Sequence, residues 1–173
     1  MTTLIPKKVA AAIYKQIGLE FFASMQYEAI SAWFKQQGLP RLSAHFAQQA
    51  SEERAHAHRF MKYVVDTGTP LALPAIDAPK CEFKSAEEAA QVALEHEIKV
   101  TDSIKALFDL AEKEGDRFTQ TSLQWFINEQ LEEVSSADEL LQMIRRAGDG
   151  GLLLVEYFLG GGGTGGGAPK GGE

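Results

Sequence analysis

The chain has 173 residues, of which 45% are hydrophobic and 24% charged, with one cysteine and a net charge of −7. This length suits one domain with a sizeable core. The negative charge disfavours nucleic acid, whose phosphates require Lys and Arg. The N-terminal residues lack a signal-peptide pattern, and no apolar run reaches the length of a membrane span. One cysteine cannot form an internal disulfide, which favours a reducing compartment. Together these observations predict a soluble, cytoplasmic protein without nucleic-acid or membrane partners.

Four long segments follow the helical period of 3.6 residues. Ser85, followed three positions later by Glu88, is typical of a capping box at the start of the third helix. Short connections join the first helix to the second and the third to the fourth, so each pair is predicted to be an antiparallel hairpin. The predicted helices cover about residues 6–36, 42–66, 85–114 and 116–146.

The connection between the second and third helices is much longer than a hairpin needs. Residues 68–85 include Pro70, Pro74 and Pro79, which forbid a continuous helix. An extended chain of this length spans about 60 Å, whereas a helix of about 28 residues is only ~42 Å long. The sequence therefore predicts an all-α four-helix bundle with one long crossover, which leaves the second and third helices parallel.

Carboxylates interrupt the apolar faces of these helices. Glu20, Glu53 and Glu97 each lie on the apolar stripe of a different helix, and Glu133 lies at the edge of the stripe of the fourth. Each is near the midpoint of its helix, so all four come to one level whichever way the helices run. His56 follows Glu53 by three positions, which places both side chains on one helical face.

Buried carboxylates are costly unless they are paired or bind metal. Four carboxylates at one level cannot lower this cost by pairing with each other, because like charges repel. No Lys or Arg falls on the apolar stripes at that level. Oxygen ligands with a single imidazole suit iron better than the thiolate-rich sites of structural zinc. A lone Glu-x-x-His is usually a surface feature, but four interruptions at one height favour a metal site, as in di-iron carboxylate bundles. The residues predicted to converge are Glu20, Glu53, His56, Glu97 and Glu133.

Residues 4–158 resemble the bacterial non-haem ferritins. The segments that carry the resemblance are "IGLEFFASMQYEAISAWF", "ASEERAHAHRFMKYV", "LEHEIKVT" and "LQWFINEQLEEV". The resemblance implies a dinuclear ferroxidase centre that uses Fe(II) and O2 as substrates. Its ligands would be Glu20, Glu53 and His56 for one iron, and Glu53 as a bridge with Glu97 and Glu133 for the other, with Gln130 close by.

The same resemblance implies further functional residues. Tyr27 matches a family tyrosine beside the centre, although a core tyrosine with a satisfied hydroxyl is the plainer interpretation. Trp125 matches a family aromatic residue near the centre, and core packing explains it equally well. Bacterial members also have a third iron site, whose matching positions here are Glu52, Glu129 and Glu132, with Glu133 shared.

The resemblance also implies an assembly and a function. Residues 1–159 would form the bundle with "LLLVEYF" as a short fifth helix, and 24 copies would form a hollow shell that stores ferric mineral. The glycine-rich residues 160–173 are typical of a flexible tail. Haem is not expected, because Arg54 occupies the position of the haem-ligating methionine of bacterioferritins. The alternative function is a catalytically silent shell or scaffold subunit with the same fold.

Overall fold

The computed structural model describes residues 3–162, and these residues contain helices and no β-strand. The predicted all-α fold class is confirmed, and the ends of the four long helices lie within two residues of their predicted positions. A 3-10 turn, Asp149–Gly151, precedes the short fifth helix, and a π-helical turn, Phe158–Gly162, follows it. Most of the predicted glycine-rich tail, residues 163–173, lies outside the described residues. The helices are α1 (Lys7–Gln36), α2 (Pro40–Asp66), α3 (Ala86–Lys113), α4 (Arg117–Ala147) and α5 (Leu152–Tyr157).

Side chains satisfy the free N–H groups at the starts of α3 and α4. The Ser85 hydroxyl accepts the backbone N–H of Glu88 at 3.1 Å, as the capping-box pattern predicts. The Glu88 carboxylate in turn accepts the N–H of Lys84 at 2.6 Å. At the start of α4, the Asp116 carboxylate accepts the N–H of Thr119 at 3.0 Å. These caps fix where both helices begin.

The start of α2 is capped from a distant part of the chain. Leu39 provides no side-chain cap. Instead, the Glu156 carboxylate of α5 accepts the N–H of Arg41 at 2.8 Å and that of Leu42 at 2.7 Å. Because a helix N-terminus carries partial positive charge, this contact attaches α5 to the bundle.

The contacts between helices establish the topology. Along each of three helix pairs, rising residue numbers on one helix meet falling numbers on the other. Since α2 and α3 both run antiparallel to α1, they are parallel to each other, as the long crossover predicts. The contacts are Ser24–Ala50 and Ser31–Ser43 for α1 with α2, Gln16–Ser103 and Tyr27–Ala93 for α1 with α3, and Gln91–Arg145 and Thr101–Gln130 for α3 with α4.

The crossover lies along α1. Gln26 and Lys80 exchange two hydrogen bonds of 2.8 and 2.9 Å between the Gln26 amide and the Lys80 backbone. Closer to the start of the crossover, Pro74 packs on Gly18, where a Cβ atom would lie only 2.7 Å from the proline ring. The missing side chain at Gly18 therefore lets the crossover approach the helix.

The core consists of two apolar clusters separated along the helix axes. The carboxylates of the helix midpoints lie between them, and we call this level the polar layer: Glu20, Glu53, His56, Glu97, Gln130 and Glu133. The Phe34 cluster lies on one side and includes Ala23, Ile30, Phe34, Leu42, Phe46 and Leu141. The Phe60 cluster lies on the other side and includes Ile13, Ile17, Phe60, Val100, Leu123 and Phe126. No helix within residues 3–162 is both long and apolar enough to cross a membrane.

Candidate metal centre

Three ligand candidates from α1 and α2 converge inside the bundle. Glu20, Glu53 and His56 are all buried, and each offers a ligand atom within 4.8 Å of the others. The Nδ1 atom of His56 lies 3.5 Å from Oε2 of Glu53. The helical spacing of three residues puts Glu53 and His56 on one face, and the antiparallel packing of α1 brings Glu20 to their level. These residues form one half of the candidate centre.

The other half of the centre is formed by α3 and α4. The buried carboxylate of Glu97 accepts a hydrogen bond from the Tyr27 hydroxyl, and Nε2 of Gln130 lies 3.5 Å from its Oε2. The Thr101 hydroxyl donates to Oε1 of Gln130 at 2.7 Å. Glu133 is also buried at this level. Tyr27 and Gln130 therefore both lie beside Glu97.

Burial raises the pKa values of these carboxyl groups. The pKa of Glu20 lies well above its ordinary range, because of burial first and the nearby charge of Glu53 second. The pKa of Glu53 is also raised well above its ordinary range, first by burial and then by the nearby charge of Glu97. The pKa of Glu97 is raised by burial, while hydrogen bonds from Tyr27 and Gln130 oppose the increase. Without a cation, the folded chain therefore favours protonated carboxyls here.

The Tyr27 hydroxyl keeps its proton. Burial raises the pKa of Tyr27 well above its ordinary value, and the neighbouring charge of Glu97 raises it further. Tyr27 is consequently a hydrogen-bond donor to Glu97. This contact favours the ionised form of the carboxylate.

Oxygen atoms in the polar layer lack hydrogen-bond donors. With both carboxyls ionised, Oε2 of Glu20 and both carboxylate oxygens of Glu53 are buried without a hydrogen-bond donor. Unsatisfied buried polar atoms are unusual in folded proteins and costly. A cation among these oxygens would satisfy all three, and carboxylates with one imidazole fit iron. The residues present therefore fit a metal site.

A second group of possible ligands also contains His56. His56, Glu129 and Glu133 each offer a ligand atom within 4.8 Å of the others. Glu129 and Glu133 are two of the residues implied for a third iron site. The other two, Glu52 and Glu132, fall outside both ligand groups found among residues 3–162.

Two neighbouring amides of α2 hold the Glu52 side chain. Gln48 and Gln49 donate hydrogen bonds to its carboxylate at 3.0 and 2.5 Å. Glu132 is exposed on α4. Of the four residues implied for the third iron site, Glu129 and Glu133 thus share a ligand group with His56.

Trp125 covers His56 on the α4 side. Its ring centroid is 5.4 Å from that of His56, with the two rings nearly perpendicular. The guanidinium group of Arg59 lies 4.0 Å from the Trp125 ring centroid, a cation–π distance. Trp125 therefore packs against a ligand candidate as well as the Phe60 cluster.

The inward face of α4 differs slightly from the predicted stripe. The helical period of 3.6 residues places Ile127 and Val134 on the apolar stripe of α4, but both are half-buried. Phe126 and Glu133 occupy the core instead. Glu133, which the sequence places at the edge of the apolar stripe, therefore lies in the interior.

Three polar residues around the centre were not predicted. Gln16 is fully buried and donates to Glu20, Ser103 donates to Gln16, and Thr101 donates to Gln130. Gln16 lies four residues before Glu20, so the helical period could have identified it. Ser103 and Thr101 give no such signal, because hydroxyl residues are common on half-exposed helical faces.

The family model described as the Ferritin-like domain matches residues 10–147 of this chain. The chain belongs to the ferritin-like family. Ferritin BfrB of Mycolicibacterium smegmatis is 40% identical to this ferritin-like chain over 141 residues, which cover 82% of this chain and 78% of that protein. A bacterial non-heme ferritin of Staphylococcus epidermidis is 33% identical over 146 residues, which cover 84% of this chain and 88% of the relative.

A solved structure is also similar to this ferritin-like chain. The open pore ferritin of the hyperthermophilic archaeon Archaeoglobus fulgidus matches with a TM-score of 0.88 and 31% sequence identity, covering 91% of this chain and 98% of that one. The predicted resemblance to ferritins and the bundle with a short fifth helix are confirmed. At the level of the family, these matches support a function in iron storage.

Proposed function

We propose that this chain is a ferroxidase subunit of an iron-storage shell, which oxidises Fe(II) with O2 at a dinuclear site inside the bundle. The observation that carries the proposal is the polar layer. Buried carboxyls with raised pKa values and unsatisfied oxygens lie between two apolar clusters. Iron is the substrate that satisfies these oxygens, and binding it displaces the protons that burial otherwise retains.

The ligand geometry supports two adjacent iron subsites. Glu20, Glu53 and His56 hold the first Fe(II), since their ligand atoms already lie together. Glu53 also reaches toward the second Fe(II), whose other ligands are Glu97 and Glu133. A shared carboxylate keeps two metal ions close enough to act together.

The oxidation needs both iron atoms. Each Fe(II) loses one electron to become Fe(III), and O2 accepts the two electrons with two protons to leave as hydrogen peroxide. Anionic carboxylate oxygens stabilise the higher charge of Fe(III). Tyr27 and Gln130 orient Glu97 through hydrogen bonds, so the second subsite keeps its ligand in place as the charge changes.

Iron leaves the centre through neighbouring acidic residues. Glu129 joins Glu133 and His56 in a second ligand group, and Glu52 and Glu132 complete the third iron site after a change of side-chain position.

Arg54 is exposed beside Glu53 and offers no sulfur ligand, so haem does not bind by the methionine route.

The outer face of α5 supports assembly into a shell of 24 copies. Leu153, Leu154, Tyr157 and Phe158 are exposed in the single chain, although all four are apolar. Contiguous apolar surface of this kind is typical of protein interfaces. In the shell, α5 of each copy contacts other copies.

Stopped-flow absorbance under air tests the proposed activity. Glu53→Ala removes the shared ligand, so we expect the initial rate of Fe(II) oxidation to fall at least about 100-fold. Glu28→Ala removes an exposed carboxylate of α1 and should keep the parent rate. Light scattering verifies that both variants assemble as the parent does. A parent protein without a rapid phase of oxidation would instead indicate the silent shell subunit.

A further inference from the structure

A chain of hydrogen bonds leads from α3 to Glu20. Gln16 is fully buried one helical turn before Glu20, and its Nε2 donates to Oε1 of Glu20 at 2.8 Å. The Ser103 hydroxyl donates to Oε1 of Gln16 at 2.5 Å. With the Ser103 hydroxyl at the carbonyl end of the Gln16 amide, the amino end of the amide faces Glu20.

These hydrogen bonds distinguish the two oxygens of the Glu20 carboxylate. In the ionised carboxylate, Oε1 accepts from Gln16, whereas Oε2 is buried and has no hydrogen-bond donor. Oε2 is therefore the oxygen that remains for a metal ion. We infer that Gln16 and Ser103 are positioning residues of the first iron subsite, where they reserve Oε2 of Glu20 for the metal; this inference rests on the proposed function.

The chemistry of an amide suits this position. A lysine beside Glu20 would neutralise the carboxylate and compete with the cation, while an apolar residue would leave Oε1 without a donor. A glutamine donates a hydrogen bond without adding charge.

A second series of hydrogen bonds of the same kind lies on the other side of α3. Thr101 donates to Gln130 at 2.7 Å, and Gln130 reaches Glu97 at 3.5 Å. Thr101 and Ser103 are two positions apart, so their side chains point to different neighbours, α4 and α1. The link to Glu97 is 0.7 Å longer than the link from Gln16 to Glu20. Glu97 depends on the Tyr27 hydroxyl as well as on Gln130 for its position.

Binding of Co(II), a redox-inert probe, tests the inference without any oxidation. Anaerobic titration of the metal-free shell, followed by Co(II) absorption, gives the number of subsites and their affinities. In Gln16→Met, which keeps the side-chain length, we expect one of two affinities to weaken about tenfold. Ser103→Ala should weaken the same subsite about threefold, and Ser103→Thr, which restores the hydroxyl, should recover the parent affinity.

The surface of α3 offers a matched control. Arg145 donates to Gln91, which donates to Glu95 four residues later, at 2.9 Å in each link. This is the same donor–amide–carboxylate order outside the polar layer. Gln91→Met should leave both Co(II) affinities unchanged. Anomalous scattering from Co(II)-soaked crystals of Ser103→Ala should show reduced occupancy beside Glu20 and full occupancy beside Glu97.

Each outcome separates this inference from the proposed function. Parent affinities in both Gln16→Met and Ser103→Ala would overturn the inference while the dinuclear site stands. A parent protein that binds no Co(II) between its helices would instead overturn the proposed function, and the inference with it. If Gln16→Met fails to assemble, the Co(II) affinities of Ser103→Ala and Ser103→Thr test the inference instead. These variants should fold, since Ser103 is only half-buried.

Discussion

The two apolar clusters and the polar layer are parts of the same four helices, but they depend on different interactions. In the Phe34 cluster, aromatic rings stack and aliphatic side chains fill the interior, so burial itself is favourable. In the polar layer, burial is unfavourable, because carboxyls have raised pKa values and oxygens without donors. The clusters therefore stabilise the fold by burial, whereas burial of the layer has a cost that a bound cation would relieve.

A substitution in an apolar cluster should affect stability without affecting the chemistry of the layer. Phe34 is fully buried and stacks on Phe46 with ring centroids 5.5 Å apart. We expect Phe34→Ala to reduce the free energy of unfolding by about 3–5 kcal/mol, measured by chemical denaturation of the metal-free chain. The number of Co(II) ions bound per folded subunit should not change. A loss of Co(II) sites in the folded variant would show that the two regions are not separable.

The polar layer should give the metal-free protein an unusual dependence on pH. Glu20, Glu53 and Glu97 have pKa values above their ordinary range. The folded state then binds more protons than the unfolded state, so their contribution to stability is complete below the ordinary pKa of about 4.5. It should be lost as the pH rises through the raised values.

Denaturation of the metal-free shell between pH 5 and pH 8 measures this effect. The free energy of unfolding should decrease with rising pH by about 1.4 kcal/mol per group for each unit by which its pKa is raised. Saturating Co(II) should reverse the trend, because bound metal requires the carboxylates to be ionised. Stability that rises with pH in the metal-free protein would contradict the assigned burial of these acids.

Removing one charge from the layer should stabilise the metal-free chain and weaken metal binding. In Glu53→Gln the buried carboxylate becomes a neutral amide of the same shape, whose N–H groups can donate to Glu20 or Glu97. We expect the free energy of unfolding at pH 7 to increase by roughly 1 kcal/mol or more, with Co(II) affinity reduced. Glu28→Gln, at an exposed position of α1, should change neither. A Glu53→Gln variant less stable than the parent would indicate that Glu53 is satisfied without metal.

The contact between α5 and the start of α2 should have the smallest effect of these changes. Glu156→Gln keeps one acceptor but loses the charge that faces the N–H groups of Arg41 and Leu42. We expect about 1 kcal/mol of lost stability, measured as a lower melting temperature. Glu139→Gln, which changes an exposed acid of α4, serves as the control. Equal melting temperatures for these two variants would mean that Glu156 does not stabilise α2.

The fold was predictable because local signals coincide with the global structure. Proline and glycine mark the breaks, Ser85 marks a helix start, and the length of the crossover determines the direction of α3. The path of the crossover was not predictable. It depends on Gly18 meeting Pro74, a tertiary contact that neither residue indicates in the sequence.

The candidate metal centre was predictable to the extent that its residues interrupt an apolar stripe. Glu20, Glu53 and Glu97 do so and are buried. Ser103 interrupts no stripe, and its hydrogen bond to Gln16 depends on the packing of α1 against α3. The capping of α2 by Glu156 likewise joins residues more than 100 positions apart.

Anomalous scattering at the iron absorption edge, from crystals soaked anaerobically in Fe(II), tests whether the polar layer is a substrate site. We expect two iron peaks inside each bundle. One should contact Oε2 of Glu20 together with Glu53 and His56, and the other should contact Glu53, Glu97 and Glu133. Crystals that take up iron only on the protein surface, with no peak between the four helices, would show that these buried carboxylates do not bind it.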